Sequence, residues 1–378
     1  MTIRRPLVVD GGVVKQMPTE GSVETALAPP WEENANNWSK FTEARCHMHA
    51  DWSAGMDPHI HLYGTAGTGI TKWTSPVLAP NGCLYAAGYA HSYTMKLDAN
   101  GALTTFGAAD ASVGKFISGA LAPNGMIYFA PWMGTYILKV NPTNDTISTI
   151  GTFTSGYRYA GSVLANNGYI YAVPGAVATV CKINPSADSY TTFGDLGVTA
   201  TYKWISAVLA HNGKIYGIPR DSASVLCIDP SDDSTTTFGS LTTNTAKWWG
   251  GVLAPNGMIY GIPYNSTSVL KINPYDNTVT TFGSLSGSNK WGNGFVGLDG
   301  MIYGIPRDST TMLRINPYTD TVTTFGSCGS GTLKWSGAVV RSDGYAWGIP
   351  YSAETILLFS TVASLPMDIC LSRYLNKF

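Results

Sequence analysis

The sequence has few charged residues and no long apolar run, and both absences restrict what it can do. Charged residues make up 12% of the 378 residues and the formal net charge is −1, so a bulk electrostatic attraction to nucleic acid or to an acidic membrane is excluded. No apolar stretch approaches the roughly 20 residues that a membrane-spanning helix needs. Pro6 and the Asp10-Gly11-Gly12 sequence interrupt the basic amino terminus. We therefore expect no membrane insertion and no secretory signal.

Groups that carry catalysis are also scarce. The sequence has no glutamate between positions 69 and 353, and most of its aspartates lie in turn sequences, where turn chemistry accounts for them. It contains no GxSxG, P-loop or HExxH pattern. Asp221 and Asp308 stand outside the turns, but they occupy equivalent places two repeats apart, which is too far for the carboxyl pair of a glycosidase. We expect no enzymatic activity and no cofactor.

The cysteines and histidines give no recognised pattern of disulfides or metal ligands. Cys83, Cys181 and Cys227 fall within predicted strands, which favours buried free thiols over disulfides. Four of the six histidines lie in the segments Cys46-His47-Met48-His49 and His59-Ile60-His61. Histidines that alternate along a strand can share a metal ion, but this spacing is not a recognised zinc pattern. A site formed by His47, His49, His59, His61 and Cys46 stays open, and we predict none.

What the sequence does contain is a repeat, typified by the stretch from Lys247 to Gly283. A turn glycine marks each copy: Gly82, Gly125, Gly168, Gly213, Gly257, Gly300 and Gly344. The intervals are 43, 43, 45, 44, 43 and 44 residues, and a period near 44 with four short extended runs is typical of β-propeller blades. We predict an all-β fold, a seven-bladed β-propeller of four-stranded antiparallel blades. The repeats lack the signatures of WD40, kelch and sialidase Asp-box blades.

Within each repeat the first and second strands differ in composition. The first strand contains small residues, such as Gly161-Ser162 and Gly250-Gly251, as expected where seven inner strands converge on one axis. An Asn-Gly or Asp-Gly turn then leads to the second strand, which carries an aromatic residue at the same place in every copy. These residues are Tyr85, Tyr128, Tyr171, Tyr216, Tyr260, Tyr303 and Trp347.

The seventh repeat lacks its fourth strand. After Ile356–Phe359 there is no further Asn-Pro turn, but a β-like segment precedes the first repeat at residues 59–64. Tyr63 lies 10 residues before Trp73, within the spacing of 9 to 11 residues that separates the fourth-strand phenylalanine from the next aromatic in complete copies. We predict that residues 59–64 complete the seventh blade and close the ring, which removes its open edges.

The chain divides into an amino-terminal arm at residues 1–55, the propeller at 56–361 and a tail at 362–378. Asp-Gly-Gly between two β-branched runs predicts a hairpin at residues 5–17. The opening RRPLVVDGGVVKQMP, over about residues 4–17, resembles the start of tailed-bacteriophage fibre and virion proteins. This resemblance implies a virion component made in the host cytoplasm, attached to other virion proteins through residues 1–55 and able to form homo-oligomers in the particle.

A basic residue precedes an aromatic residue at the entry to every first strand. The basic residues are Lys72, Lys115, Arg158, Lys203, Lys247, Lys290 and Lys334. In an up-and-down blade the loop between the second and third strands lies on the same face. That loop carries Trp132, Arg220, Asp221, Tyr264, Asn265, Arg307, Asp308 and Tyr351. A face rich in rings and cations suits sugars, so we predict that both sets bind a ligand. The alternative is that the repeated aromatics pack between blades with the lysines lying over them.

These observations favour a non-enzymatic binding module whose partner is a glycan of the host surface or another virion protein. Two alternatives stay open. One is a purely structural or decoration protein of the tail or capsid, and the other is a propeller enzyme that degrades polysaccharide.

Overall fold

The computed structural model describes residues 7–10, 13–16, 60–108, 112–198 and 202–360, in a chain that forms two units, residues 1–56 and 57–378. In the first unit β1 (Leu7–Asp10) and β2 (Val13–Gln16) pair antiparallel, which confirms the predicted hairpin. The part of the chain described here has no helix long and apolar enough to cross a membrane.

The second unit contains seven four-stranded antiparallel sheets, so the predicted propeller is confirmed. Blade 1 consists of β4 (Val77–Leu78), β5 (Leu84–Ala86), β6 (Tyr93–Leu97) and β7 (Leu103–Ala108). Blade 2 consists of β8 (Phe116–Leu121), β9 (Ile127–Pro131), β10 (Ile137–Asn141) and β11 (Thr146–Ile150). Blade 3 consists of β12 (Tyr159–Leu164), β13 (Ile170–Pro174), β14 (Val180–Asn184) and β15 (Ser189–Phe193).

The remaining blades repeat this order. Blade 4 consists of β16 (Trp204–Leu209), β17 (Ile215–Pro219), β18 (Val225–Asp229) and β19 (Ser234–Phe238). Blade 5 consists of β20 (Trp248–Leu253), β21 (Ile259–Pro263), β22 (Val269–Asn273) and β23 (Thr278–Phe282). Blade 6 consists of β24 (Trp291–Val296), β25 (Ile302–Pro306), β26 (Met312–Asn316) and β27 (Thr321–Phe325). Blade 7 consists of β28 (Trp335–Val340), β29 (Tyr345–Pro350), β30 (Ile356–Ser360) and β3 (Ile60–Tyr63).

The closing strand β3 is the fourth strand of blade 7. It pairs antiparallel with β30, with Ile60 opposite Phe359 and Tyr63 opposite Ile356. Ile60 is 1% exposed and packs in a core cluster with Phe359 and Trp335. The predicted closure is therefore confirmed, and β30 is paired on both sides, with β29 and with β3.

The core lies between neighbouring blades, because each second strand is buried on both faces. In β21 all five residues from Ile259 to Pro263 are buried. Tyr260 belongs to a cluster that includes Trp291 and Leu313 of the next blade, so burial of apolar surface joins successive blades. Cys83, Cys181 and Cys227 are buried free thiols, as predicted. Cys46, His47, His49 and His59 lie outside the described residues.

Small residues in the first strands permit the inner strands to approach one another. A Cβ atom added to Gly161 would overlap the backbone nitrogen of Ala207 in the next blade, so no larger residue fits without moving a strand. Gly250 meets Asn293 of the following blade in the same way. The crowding expected at the axis is thus present.

In blades 1 to 5 the tyrosine of the second strand links its blade to the next. The Tyr260 hydroxyl donates to the carboxylate of Asp320 at 3.1 Å, and Lys271 donates to the same carboxylate at 2.6 Å. The Tyr85, Tyr128 and Tyr171 blades carry equivalent groups: Lys96 with Asp145, Lys139 with Asp188, and Lys182 with Asp233. Between blades 4 and 5 both charges are missing, since Cys227 and Asn277 occupy these places.

Candidate functional site

A closed belt of backbone hydrogen bonds surrounds the axis on the face formed by the loops between second and third strands. The carbonyl of each basic residue accepts from the N–H of the residue 17 positions later, and that residue's carbonyl accepts from the N–H of the next basic residue. These bonds measure 2.6 to 3.2 Å, and the last one joins Tyr351 to Lys72 across the closure. The loop positions in the belt are Tyr89, Trp132, Gly175, Arg220, Tyr264, Arg307 and Tyr351.

The lysine ammonium groups lie inside the wall of this belt. Lys247 is 2% exposed and donates to the carbonyls of Ser222 and Asn244, each at 3.0 Å. The other carbonyl acceptors are Gly69 and Ala353 for Lys72, His91 and Ser112 for Lys115, Val177, Leu196 and Gly197 for Lys203, Ser266 and Gly287 for Lys290, and Ser309 and Gly331 for Lys334.

Burial lowers the pKa of Lys247 and of Lys290 to about 8, because each ammonium group loses its hydration. The carbonyl contacts join the loops of neighbouring blades, which is a structural role. Arg158 differs from the lysines: it is half-buried, and its guanidinium donates to the carbonyl and hydroxyl oxygens of Thr154.

The polar residues that follow the belt positions support the next blade. Asp221 accepts from the N–H of Ala246 at 2.6 Å, and Asp308 accepts from the N–H of Leu333 at 2.6 Å. Asn265 accepts from the N–H of Asn289 at 2.7 Å. Ala246, Asn289 and Leu333 have positive φ angles of 53°, 51° and 52°, and these side chains hold that conformation. The structure places Asp221, Asn265 and Asp308 outside the cavity described next.

A cavity of about 100 Å³ opens within the belt and receives residues from all seven blades. It therefore lies on the propeller axis. The lining residues are Thr74, Ser75, Tyr89, Ile117, Trp132, Tyr157, Tyr202, Trp249, Arg307, Ser336 and Tyr351. None of these is an acid or a histidine, so within the described part of the chain the cavity holds one charged group, Arg307.

A β-bulge turns one residue of several first strands towards the axis. In blade 5 Trp248 pairs with Pro263 and Gly250 with Ile262, so Trp249 is the extra residue. The same shift occurs in blade 4 at Ile205 and in blade 7 at Ser336. Bulges re-aim side chains in this way. The Trp248 indole is left free to pack between blades and to donate to the carbonyl of Ser268 at 2.8 Å.

Aromatic rings form most of the cavity wall. The ring centroid of Trp132 lies 5.3 Å from that of Tyr157 and 4.9 Å from that of Tyr202, and the two tyrosine centroids lie 4.7 Å apart. On the far side Tyr89 meets Tyr351 edge-on at 5.4 Å. Such centroid distances are those of favourable ring pairs, so the wall is held in place before any ligand enters.

Arg307 lies among three of these rings. Its guanidinium carbon is 4.6 Å from the Tyr351 ring centroid, 4.9 Å from that of Trp249 and 5.7 Å from that of Tyr264. The residue is 7% exposed and its Nε has no hydrogen-bond partner. Burial raises the pKa of Tyr264 and Tyr351, so both phenols stay neutral near pH 7 and do not compensate the guanidinium charge.

The structure brings together part of the predicted set and adds residues that sequence reasoning missed. Trp132, Arg307 and Tyr351 line the cavity as predicted neighbours, with Tyr264 and Arg220 packed behind Trp249. The missed residues are Tyr89, Tyr157, Tyr202 and Trp249. The constant spacing of 17 residues from each basic residue would have found Tyr89, and Tyr157 and Tyr202 directly precede a basic residue. No local signal marks Trp249 as the residue of the bulge.

The fold is similar to several solved propellers of low sequence identity. A streptogramin B lyase structure aligns with a TM-score of 0.67 and 12% identity over 79% of this chain and 97% of that one. A catalytically inactive variant of virginiamycin B lyase from Staphylococcus aureus with quinupristin gives 0.69 and 10% over 80% and 99%. The extracellular domain of a hybrid two-component system from B. thetaiotaomicron gives 0.60 and 12% over 80% and 42%. These likenesses concern the fold alone.

No curated protein matches the sequence. A family described as a repeat of unknown function, DUF6923, matches residues 77–216 and 205–349. The two matches together extend from the first strand of blade 1 to the end of the second strand of blade 7. The chain therefore belongs to the DUF6923 repeat family.

Proposed function

We propose that the propeller is a non-enzymatic binding module and that the axial cavity receives a sugar residue of a host-surface glycan. The observation that carries this proposal is the convergence of rings from different blades on one small cavity. A sugar ring has apolar C–H faces that stack on aromatic rings and hydroxyls that need hydrogen-bond partners.

The cavity has both kinds of surface. Trp132, Tyr157 and Tyr202 form the aromatic side, from blades 2, 3 and 4. Hydroxyls of Ser75 and Ser336, from blades 1 and 7, form a polar side. The Ser336 hydroxyl donates to the carbonyl of Trp73 at 3.1 Å, so its oxygen keeps a free lone pair for a ligand hydroxyl.

The absence of acids from the cavity favours binding over catalysis. Hydrolysis of a glycosidic bond requires two carboxyl groups at a defined separation. The nearby Asp221 and Asp308 already accept backbone N–H groups, and no acid or histidine lines the cavity among the residues that the structure describes. The lyase neighbours share the fold at 12% identity or less, which transfers no chemistry to this chain.

The virion setting of this proposal comes from the amino-terminal resemblance. Residues 1–55 would attach the protein to other virion proteins, and the propeller would present its axial cavity to the host surface. The β1–β2 hairpin is compatible with such an arm. If the propeller instead contacts only virion proteins, the protein is a decoration protein and its cavity has no glycan ligand.

The full-length protein should be tested on a glycan array beside three variants. Tyr157→Ala removes a ring that is 39% exposed, so the fold should tolerate it, and Trp249→Ala removes the bulge indole. Tyr275→Ala is the matched control, because Tyr275 is 67% exposed in the turn between β22 and β23, outside the cavity. We expect the two cavity variants to lose affinity about tenfold or more and the control to bind normally.

Three results would redirect the proposal. Absence of glycan binding, with normal incorporation into particles, would favour the decoration protein. Equal losses in Tyr157→Ala and Tyr275→Ala would place the binding surface outside the cavity. Release of reducing ends from a host polysaccharide would favour the enzyme.

A further inference from the structure

We infer that the axial cavity selects a sugar that carries a carboxylate, and that Arg307 is the residue that binds it. This inference rests on the proposed glycan-binding function and specifies its ligand class. Three arginines, Arg220, Arg307 and Arg341, each have a buried Nε without a hydrogen-bond partner.

Arg220 and Arg341 have acceptors for their terminal nitrogens. Arg220 occupies the same belt position as Arg307, two blades earlier, and its Nη1 donates to Asp221 at 2.8 Å. Arg341 is 7% exposed and donates to the carbonyls of Leu97, Asp98 and Ala99 at 2.7 to 3.3 Å. Each guanidinium therefore has oxygen acceptors that compensate for its burial.

Among the described residues, the Arg307 guanidinium has only the rings and the neutral hydroxyls of Tyr264 and Tyr351 as partners. Asp308, which corresponds to Asp221, accepts from the N–H of Leu333 and makes no ion pair with Arg307. No carboxylate of the described residues pairs with Arg307, although it is 7% exposed and lines the cavity. A buried charge without a counter-charge is costly, and a ligand that supplies a negative charge would lower that cost.

The form of the charge favours a carboxylate. A guanidinium presents two parallel N–H groups that match the two oxygens of a carboxylate, and one carboxylate neutralises one guanidinium. A phosphate monoester carries up to two charges near pH 7, and the cavity lining offers no second cation. The rings that face Arg307 also argue against a cationic ligand, because Arg307 already occupies their cation–π surface.

The rest of the cavity restricts the kind of molecule that can carry the carboxylate. The aromatic side, formed by Trp132, Tyr157 and Tyr202, offers a stacking surface that a simple aliphatic acid would not use. The serine hydroxyls suit a polyhydroxylated ring. The ligand class that meets all three conditions is an acidic sugar, such as a hexuronate or a sialic acid, at an accessible position of a glycan.

Calorimetric titration of the full chain tests this inference with small probes. Glucuronate is compared with its methyl ester, which keeps the ring and removes the charge, with galactose as a neutral sugar and with acetate as a carboxylate without a ring. We expect glucuronate to bind and the ester to bind about 10- to 100-fold more weakly, the range for a charge-assisted pair. N-acetylneuraminate serves as a second acidic sugar.

Variants assign the effect to Arg307. Arg307→Gln should lose the preference for glucuronate over its ester, and Arg307→Lys, which keeps a charge without the fork, should retain part of it. Arg314→Gln is the matched control, since Arg314 lies on β26 of the same blade, 49% exposed and outside the cavity. A cooperative thermal unfolding transition of each variant checks that the fold is intact.

Each outcome has one meaning. Equal binding of glucuronate, its ester and galactose would overturn the acidic-sugar inference and leave the glycan-binding proposal standing. Acetate that binds as tightly as glucuronate would show an anion site without sugar selectivity and would also overturn it. If no sugar, acidic or neutral, binds here or on the glycan array, the inference and the proposed function both fail.

Discussion

The buried lysines of the axial belt should each make a contribution to stability that grows as the pH rises from 8 to 9.5. Lys247 and Lys290 are 2% and 3% exposed, and burial lowers the pKa of each to about 8. In an unfolded chain a lysine titrates near 10.4. Between these values each of these lysines binds more protons in the unfolded state than in the folded state, so its contribution to the free energy of unfolding increases with pH.

The size of the effect follows from the two pKa values. The full difference between about 8 and about 10.4 corresponds to roughly 3 kcal/mol per lysine, all of it a cost to the folded state below pH 8. Raising the pH from 8 to 9.5 should return roughly 1.5 kcal/mol for each of the two lysines. Above about pH 10 the trend should reverse, because burial raises the pKa of Tyr260 to about 12 and unfolded tyrosines lose their protons first.

The assay is the midpoint of urea unfolding, measured between pH 7.5 and 9.5. Lys247→Met keeps the length of the side chain without the charge, so the rise in the midpoint should shrink by the share of one lysine. Lys271→Met is the matched control in the same blade, where the side chain is 24% exposed and its ammonium pairs with Asp320 at 2.6 Å; the pH response of the unsubstituted protein should persist in it.

Burial also raises the pKa of the Cys83, Cys181 and Cys227 thiols, which opposes the lysine effect in this range. The test is therefore the difference between the two proteins. An equal change of midpoint in the unsubstituted protein and in Lys247→Met would refute the reasoning and show that the carbonyl acceptors compensate fully for burial.

Three further predictions concern the ring itself. Removing residues 1–64 deletes the closing strand, and the melting temperature should fall by about 10 °C or more in a calorimetric scan. Gly161→Ala should cost roughly 1–3 kcal/mol in urea unfolding, because its Cβ overlaps the adjacent inner strand, whereas Gly331→Ala, which meets only a flexible side chain, should be tolerated. Lys271→Cys with Asp320→Asn copies the neutral pair between blades 4 and 5, so a double-mutant cycle should show the double variant to be more stable than the sum of the single changes predicts.

The blades and their number could be predicted from the sequence because hairpins and turns depend on local sequence rules. Turn glycines at a constant interval, such as Gly257 and Gly300, specify the number of hairpins, and the Asn-Gly dipeptides specify their turns. The closing strand could be located by spacing alone, from Tyr63 to Trp73. These features determine the blade and the number of blades, and they do so without long-range information.

The pairing of charges between blades was also present in the sequence, but its meaning depended on contact. Lys271 and Asp320 are 49 residues apart and belong to different repeats. Only the packed ring shows that they meet, and that Cys227 and Asn277 replace an equivalent pair. The sequence assigned the aspartates to turns. This is correct for their backbone, but it does not show that their side chains pair with lysines of the preceding blade.

The candidate site was decided by the tertiary structure. The sequence by itself determined a seven-bladed propeller with aromatic and cationic side chains on one face. It could not separate the lysines that support the belt from the arginine that lines the cavity. Both are basic residues at repeated positions, but Lys247 turns into the wall towards backbone carbonyls while Arg307 faces the axis. That difference arises because the loops of seven blades meet in one belt around the axis, so the outcome depends on how the blades pack and not on any one repeat.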